Sequence, residues 1–357
     1  MSNIQEAGVE GIDAVIWTGD SPGHNDFSQS RSRNVESVLK VTQALSAVFD
    51  PAGVPIIPAL GNHGAFPVDN LQDAPHNQWL IGPLVSAWQR YIPTDQLKVF
   101  NESGYFEVPL PSMRVPTVAI VLSTTYFDRH NFLPHSSGEK EQLSWLKTRL
   151  TAARSAGQRV YLVGHIYPGN GEADATFTTT YLSLASAFSD IIVHHIYGHA
   201  HTDGFQILER PGGEGERDKV GAGASGIAYI SPSITPFAKV NPSYRYFIVN
   251  RTTSTFIDYL DYSLNLTAAN SLPVGTVPEF AFYYQASLNL SLPDQSVASY
   301  RRLLTRLATD ESFFTYFYTQ IYHVGADPVE AHYDTCSTQK CRQQFICQFN
   351  STMHQGC

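Results

Sequence analysis

The segment Gly198-His199-Ala200-His201 gives the clearest indication of the fold, because it follows an apolar run from Ile191 to Tyr197. A short apolar run that stops at a glycine is typical of a buried β-strand followed by a loop. The two imidazoles stand one residue apart, so a single turn can present both of them to adjacent metal ions. The segment therefore predicts a strand end and a metal-binding loop together.

Three earlier segments repeat this pattern of an apolar run followed directly by polar side chains. They are Gly19-Asp20 after residues 14–18, Gly61-Asn62-His63 after residues 54–60, and Gly164-His165 after residues 159–163. In open α/β sheets, ligands bind beyond the carboxyl ends of the strands. We therefore expect the polar residues of all four strand ends to form one site.

Helical patterns alternate with these strands. Apolar residues recur at three- and four-residue spacing from Val35 to Phe49, and further helices are predicted from about Gly138 to Ala156 and from Thr178 to Phe188. Shorter β segments with glycine-rich turns follow from Phe205 to Tyr262. The alternation predicts an α/β protein with a mixed β sandwich flanked by helices.

The composition changes between Tyr262 and Val277, a stretch rich in Asn, Ser, Leu and Pro. Such a change is typical of a domain boundary. Beyond it, apolar stripes such as those at Leu303, Leu307 and Phe317 indicate helices that pack in a core. We expect a main domain at residues 1–262 and a helical subdomain at residues 263–357.

The overall charge excludes some classes of partner. The chain has 357 residues, of which 43% are hydrophobic and 15% are charged, and its formal net charge is -9. A negative balance opposes nonspecific binding to nucleic acid or to an anionic bilayer. No uninterrupted apolar stretch has the length of a transmembrane segment. These features favour a small soluble substrate and no nucleic acid polymer.

The cysteines and the glycosylation sequons point to an oxidising compartment. All four cysteines lie at the end of the chain, at Cys336, Cys341, Cys347 and Cys357. Two short local disulfides are expected, and a zinc site of four cysteines is the alternative, although the spacing lacks paired C-x-x-C motifs. Sequons of the N-x-S/T type begin at residues 101, 250, 265, 289 and 350. Secretion or a lysosomal or vacuolar location is expected.

Five side chains at the strand ends are candidate metal ligands: Asp20, Asn62, His165, His199 and His201. Taken singly, each can be a turn aspartate, a loop-capping asparagine or an ordinary strand-end histidine. Together they favour a binuclear site, in which the two oxygens of the Asp20 carboxylate can bridge two cations. Mixed carboxylate, amide and imidazole ligands suit Zn²⁺, Mn²⁺ or iron better than Ca²⁺.

A binuclear site of this kind predicts hydrolysis at phosphorus. Two metal ions can polarise a phosphoryl oxygen and lower the pKa of a bridging water, which supplies a hydroxide near neutral pH. The departing oxygen then needs a proton donor. His63, beside Asn62, and His24, four residues after Asp20, are the candidate catalytic residues. A surface-loop histidine is the alternative interpretation of His24.

Over nearly its whole length the chain resembles the calcineurin-like metallophosphoesterase superfamily, and within it acid sphingomyelinase and the acid sphingomyelinase-like phosphodiesterases. The resemblance is carried by residues 17–24 (WTGDSPGH), 58–63 (PALGNH), 197–203 (YGHAHTD), 233–236 (SITP) and 241–245 (NPSYR), and by the closing cysteines. It implies a four-layer αββα sandwich, so that residues 1–262 become the catalytic domain. It also implies two disulfides in the helical C-terminal subdomain.

The resemblance implies a role for each candidate residue. Asp20 would bridge two Zn²⁺ ions, and one of them would be completed by Asn62, His165 and His199. His201 would bind the other ion. His24 and His63 would be the catalytic residues, which contact phosphate and protonate the leaving group.

The chain departs from the family pattern in two places. The family begins its site with an Asp-x-His motif on the first strand, whereas no histidine precedes His24 here. We therefore expect a sequence that lacks a signal peptide, the first strand and any N-terminal lipid-binding domain. A genuinely short protein with one metal is the alternative. Gly64 also stands where many relatives have an acidic residue, which affects the orientation of His63.

These features together predict a secreted, metal-dependent phosphodiesterase. Its expected substrates are phosphodiesters or pyrophosphates of small nucleotide-like or choline-phosphate compounds, with sphingomyelin as a narrower expectation. The alternatives are an endopolyphosphatase and a catalytically impaired protein that binds metal or phosphate. A purple acid phosphatase is disfavoured, because Gly23 stands where that family has an iron-binding tyrosine.

Overall fold

The computed structural model describes residues 11–133, 136–209, 223–326 and 335–350 of the chain. The chain divides into two compact units, Met1–His199 with Arg251–Ser254, and Ala200–Asn250 with Thr255–Cys357. The domain boundary that the sequence predicts between residues 262 and 263 falls inside the second unit and stays a prediction.

The first unit alternates strands and helices. In chain order its strands are β1 Val15–Trp17, β2 Ile56–Pro58, β3 Phe106–Pro109, β4 Thr117–Val121, β5 Arg159–Val163 and β6 Ile192–Tyr197. Its α-helices are Arg31–Phe49, Gln78–Trp88, Thr94–Ser103, Ser136–Ser155 and Ala175–Ala187. The three helices predicted in this region are confirmed, and each begins a few residues earlier than expected.

Parallel pairing dominates the first unit. β1 pairs with β2 in parallel, β4, β5 and β6 pair in parallel, and β3 is antiparallel to β4. Residues of β4 are buried throughout, and β5 is buried except at Arg159. Strands covered on both faces appear in a sequence as continuous apolar runs. The predicted α/β class, with a mixed sheet and flanking helices, is confirmed.

Aromatic packing holds β1, whose end leads to Asp20. The rings of Trp17 and Trp88 meet edge to face, with centroids 5.7 Å apart. The indole nitrogen of Trp88 donates a hydrogen bond to Oγ1 of Thr42 at 2.9 Å. Because Trp88 and Thr42 lie on two different helices, both helices fix the strand that carries the Asp20 loop.

The second unit consists of antiparallel strands and a mainly helical C-terminal part. Its described strands are β7 Gly204–Glu209, β8 Ala224–Ile230, β9 Ser243–Asn250, β10 Thr255–Ser263 and β11 Ala281–Gln285. β7 pairs with β8, and β10 lies between β9 and β11. Its described helices are Leu266–Asn270, Ala286–Asn289, Val297–Thr309, Glu311–Tyr316, a π-helix Phe317–Tyr322, and Gln339–Cys347.

The helical stripes pack as the sequence predicts. Leu303, Leu307 and Phe317 are each less than 4% exposed. Within the described ranges, no helix combines the length and the apolar character needed to span a membrane.

Cys336 and Cys341 form a disulfide. This bond excludes the alternative of a zinc site built from all four cysteines, because a disulfide sulfur is no longer available as a thiolate ligand. The remaining cysteines are Cys347 and Cys357, and Cys357 lies outside the described residues. The second predicted disulfide therefore stays a prediction.

A buried ion cluster anchors the chain just after His201. The Arg245 guanidinium donates two hydrogen bonds to Asp261, at 2.7 and 2.8 Å, and a third to Asp203. The hydroxyl of Tyr284 donates to the other oxygen of Asp203. Burial raises the pKa of Asp203, Arg245 opposes the rise, and repulsion from Asp261 adds to it. Arg245 thus pairs with Asp261 through two hydrogen bonds and with Asp203 through one.

Replacing Arg245 by methionine should lower the free energy of unfolding by about 3–5 kcal/mol, because Asp261 would be left as an unpaired buried charge. Asp203→Asn should cost less, about 1–3 kcal/mol, because the amide keeps the shape of the carboxyl and loses one accepted hydrogen bond, while the Arg245–Asp261 pair stays intact. Urea unfolding at neutral pH measures both values. Equal losses in the two variants would contradict the pairing of Arg245 chiefly with Asp261.

Candidate metal centre

Four of the five predicted ligands follow parallel strands of the first unit. Asp20 follows β1, Asn62 follows β2, His165 follows β5 and His199 follows β6. Backbone hydrogen bonds continue the pairing beyond the strand ends, from the amide of Gly198 to the carbonyl of His165 at 3.1 Å, for example. The loops are therefore held in register where the polar side chains begin.

Two of these residues have an unusual backbone conformation. Asp20 has φ 57° and His199 has φ 71°, both in the left-handed region. For residues other than glycine, this conformation costs on the order of 1–3 kcal/mol and clusters at functional sites. The surrounding structure holds both residues in orientations that a relaxed loop would avoid.

Four acceptor atoms converge at the strand ends. Nε2 of His165 lies 2.8 Å from Oδ1 of Asn62, 3.1 Å from Oδ2 of Asp20 and 3.3 Å from Nδ1 of His199. Nδ1 of His199 lies 3.2 Å from the same Asn62 oxygen. Oδ2 of Asp20 is shielded from solvent and accepts no hydrogen bond. The side chains of all four residues thus point to one small volume.

The imidazole protons lie on the outer side of this cluster. Nδ1 of His165 is 2.7 Å from the backbone carbonyl of Thr18, and Nε2 of His199 is 2.6 Å from Oε2 of Glu172. Each partner is an acceptor, so each of these ring nitrogens carries a hydrogen and donates it. The lone pairs of His165 Nε2 and His199 Nδ1 then face inward.

Asn62 is oriented in the same way. Its amide nitrogen Nδ2 donates to Oδ1 of Asp69 at 2.7 Å, which directs Oδ1 of Asn62 toward the imidazoles. Asp69 has φ 67°, also in the left-handed region. It lies outside the motifs that the sequence offers. The carboxylate therefore decides which end of the Asn62 amide enters the cluster.

The cluster has the chemistry of a divalent-cation site. One ligand atom each from Asp20, His165 and His199 lies within 4.8 Å of the others. Burial disfavours ionisation of Asp20, but attraction from His165 and His63 holds its pKa below the usual range, while Asp20 raises the pKa of His165 against burial. Facing lone pairs repel one another, and either a proton on His165, whose pKa Asp20 raises, or a bound cation removes that repulsion. The donor set fits zinc, manganese or iron.

The two predicted catalytic histidines lie side by side. The ring centroids of His24 and His63 are 4.0 Å apart. The backbone amide of His63 donates to Oδ1 of Asp20 at 2.9 Å, and its Nδ1 lies 3.6 Å from Asp26. Burial and then repulsion from His63 lower the pKa of His24. The backbone of His63 is thus hydrogen-bonded directly to the aspartate of the cluster, and His24 lies against the His63 ring.

His201 belongs to the second unit. It is buried, its φ is 64°, and its ring centroid lies 5.9 Å from that of Phe237. Its backbone carbonyl accepts from the amide of Ser233 at 3.2 Å. The assignment of His201 to a second metal stays a prediction.

The groups that orient the ligands are not predicted by the sequence motifs. Glu172 lies in the loop between β5 and the helix Ala175–Ala187, and Asp69 lies in the loop after β2. Neither residue is part of a motif with recognisable spacing. Their roles depend on which loops meet in space, and nothing in the local sequence indicates this.

Comparison with known proteins identifies the sequence family. The profile described as calcineurin-like phosphoesterase matches residues 2–203. Sphingomyelin phosphodiesterase A of Dictyostelium discoideum is 28% identical over 341 residues, which cover 94% of this chain and 55% of that protein. Human sphingomyelin phosphodiesterase is 29% identical over 365 residues, which cover 97% of this chain and 53% of that protein. The chain spans about half the length of these curated relatives.

A solved structure is more distantly similar. The crystal structure of a dimetal phosphatase from Danio rerio has 15% sequence identity and a TM-score of 0.44, over 73% of this chain and 81% of that one. At that distance the likeness adds nothing to the family match.

Gly61 is predicted to be essential for metal binding, because a Cβ there would overlap the carboxylate and the backbone nitrogen of Asp20. Gly61→Ala should displace Asp20 and lower the affinity for Zn²⁺ at least about tenfold. Calorimetric titration measures this affinity. Gly64→Ala is the matched control, since nothing lies within 4 Å of a Cβ at that position. Equal affinity in the two variants would argue against this placement of Asp20.

Proposed function

Because the chain belongs to the calcineurin-like phosphoesterase family, we propose that it is a metal-dependent phosphodiesterase. Its substrates are phosphodiesters or pyrophosphates of small molecules. One observation carries the proposal: the inward-facing lone pairs of Asp20, Asn62, His165 and His199 form a cation site where strands of the first unit end.

The proposed ligand set rests on this geometry for four residues and on the family resemblance for His201. Asn62, His165 and His199 would hold one Zn²⁺, with Asp20 shared with a second ion to which His201 would belong. When bound, such ions polarise a phosphoryl oxygen and lower the pKa of a coordinated water. Glu172 and the Thr18 carbonyl keep the two imidazoles in the tautomers that ligation requires.

His24 and His63 are the proposed catalytic residues. Their adjacent rings can contact the non-bridging phosphate oxygens and deliver a proton to the departing alkoxide oxygen. Nδ1 of His63 lies 3.6 Å from the carboxylate of Asp26, which limits the orientations open to the ring. The hydrogen bond from the His63 amide to Asp20 keeps this residue beside the ligand cluster.

The relatives favour a choline-phosphate substrate among the small phosphodiesters. Two of them are named sphingomyelin phosphodiesterases. We extend this to sphingomyelin or a soluble choline-phosphate or nucleotide-like compound as the substrate here. The Cys336–Cys341 disulfide supports secretion or a lysosomal or vacuolar location, since such bonds persist in oxidising compartments.

A catalytically impaired metal- or phosphate-binding protein is the second candidate. The observation in its favour is that the four side chains that converge, Asp20, Asn62, His165 and His199, account for one ion and not for two. Three protein ligands are usual for a catalytic zinc. This candidate predicts metal binding without turnover.

Replacing His63 by alanine should lower kcat at least about a hundredfold, because the non-bridging phosphate oxygens lose a contact that stabilises the transition state and the leaving oxygen loses its proton donor. Bound zinc should stay near the wild-type level. Asp20→Ala should lose both turnover and zinc. Hydrolysis of bis-nitrophenyl phosphate and metal analysis of the same samples measure the two effects. His76→Ala, at an exposed histidine, is the matched control. Equal loss of zinc in the His63 and Asp20 variants would make His63 a ligand.

The substrate class is tested with bis-nitrophenyl phosphate, CDP-choline, ATP, sphingomyelin in detergent micelles, and polyphosphate. We expect turnover of the diester and of at least one choline-phosphate compound, and its loss on removal of zinc by a chelator. Hydrolysis of polyphosphate alone would favour an endopolyphosphatase. Binding of zinc with no hydrolysis of any compound would favour the impaired protein.

A further inference from the structure

A second cluster of potential ligands lies beside the candidate metal centre, within the first unit. Asp69, Asp128 and His130 each offer one ligand atom, and these atoms lie within 4.8 Å of one another. Asp69 follows β2, whereas Asp128 and His130 follow β4. Two loops that are distant in sequence therefore bring two carboxylates and an imidazole together.

One carboxylate oxygen in this cluster has no hydrogen-bond partner. The Asp128 side chain is fully shielded from solvent. Its Oδ1 accepts from the backbone amide of His130 at 2.9 Å and lies 3.0 Å from Nδ1 of the same residue. Its Oδ2 is buried and accepts no hydrogen bond in the described part of the chain. A buried carboxylate oxygen without a donor is costly unless a cation compensates it.

The charges around Asp128 add to the cost of burying its carboxylate. Burial raises the pKa of Asp128, and the nearby carboxylates of Asp69 and Glu172 act in the same direction, against His130. Arg129 lies beside Asp128 in the chain, but it is exposed and its backbone amide donates to the carbonyl of Glu172. The His130 side chain is 47% exposed, so water screens its interaction with Asp128.

We propose that Asp69, Asp128 and His130 form a separate divalent-cation site. Two carboxylates and an imidazole, with space for water ligands on the exposed His130 side, suit Mn²⁺ or Zn²⁺. The site adjoins the phosphoesterase centre through Asp69, which accepts the hydrogen bond from Asn62. It does not depend on the catalytic proposal, since none of its three ligands belongs to that centre.

Mn²⁺ titration followed by electron paramagnetic resonance counts the ions that the full chain binds. Asp128→Asn should bind one ion fewer than the wild type, because the amide keeps the shape of the carboxylate but not its charge. His130→Ala should lower the affinity for the same ion about tenfold. Asp20→Asn should keep that ion and lose binding at the phosphoesterase centre instead, and the double variant should lose binding at both sites. His76→Ala is the control for removal of an exposed imidazole.

Crystals of the wild type grown with Mn²⁺ provide a measurement that needs no variant. Anomalous scattering should show a peak within coordination distance of all three side chains. A wild-type number of bound ions in folded Asp128→Asn protein, or no anomalous peak at the cluster under saturating Mn²⁺, would overturn the proposal. Loss of the Asp20 ion alone would instead concern the phosphoesterase centre, so the two failures are distinguishable.

Discussion

Repulsion between lone pairs is the constraint on which this site depends. Asp20, Asn62, His165 and His199 aim acceptor atoms at one another across 2.8–3.3 Å, and the other ring nitrogens of the two histidines face Thr18 and Glu172. With neutral imidazoles this arrangement is unfavourable by itself, and a proton on His165 or a cation among the lone pairs relieves it. The fold therefore maintains a cluster of side chains that a divalent cation would stabilise.

The fold places these four side chains together in two ways. Parallel pairing of β1 with β2, and of β5 with β6, places the loops after these strands in register. The left-handed conformations of Asp20 and His199 then turn the side chains inward. Close approach of Gly61 to Asp20 leaves no room for a side chain between the first two loops. Strand pairing provides coarse placement, and loop conformation provides the final orientation.

Outer hydrogen bonds determine the chemistry of the ligands. The Thr18 carbonyl and Glu172 fix the tautomers of two imidazoles, and Asp69 fixes the direction of the Asn62 amide. Asp69 also belongs to the cluster with Asp128 and His130. An ion bound at that cluster would polarise the carboxylate that holds Asn62. Occupancy of one site would thus influence the geometry of the other through a single side chain.

The sequence alone determined which strand ends carry the ligands, because a buried parallel strand and the polar residue after it are contiguous in the chain. Asp20, Asn62, His165 and His199 could therefore be predicted, and the structure brings these four together. Only the tertiary structure decided the tautomers, the orientation of Asn62 and the participation of Glu172. These depend on contacts between loops that are 7 to 147 residues apart in sequence, and no local pattern encodes such contacts.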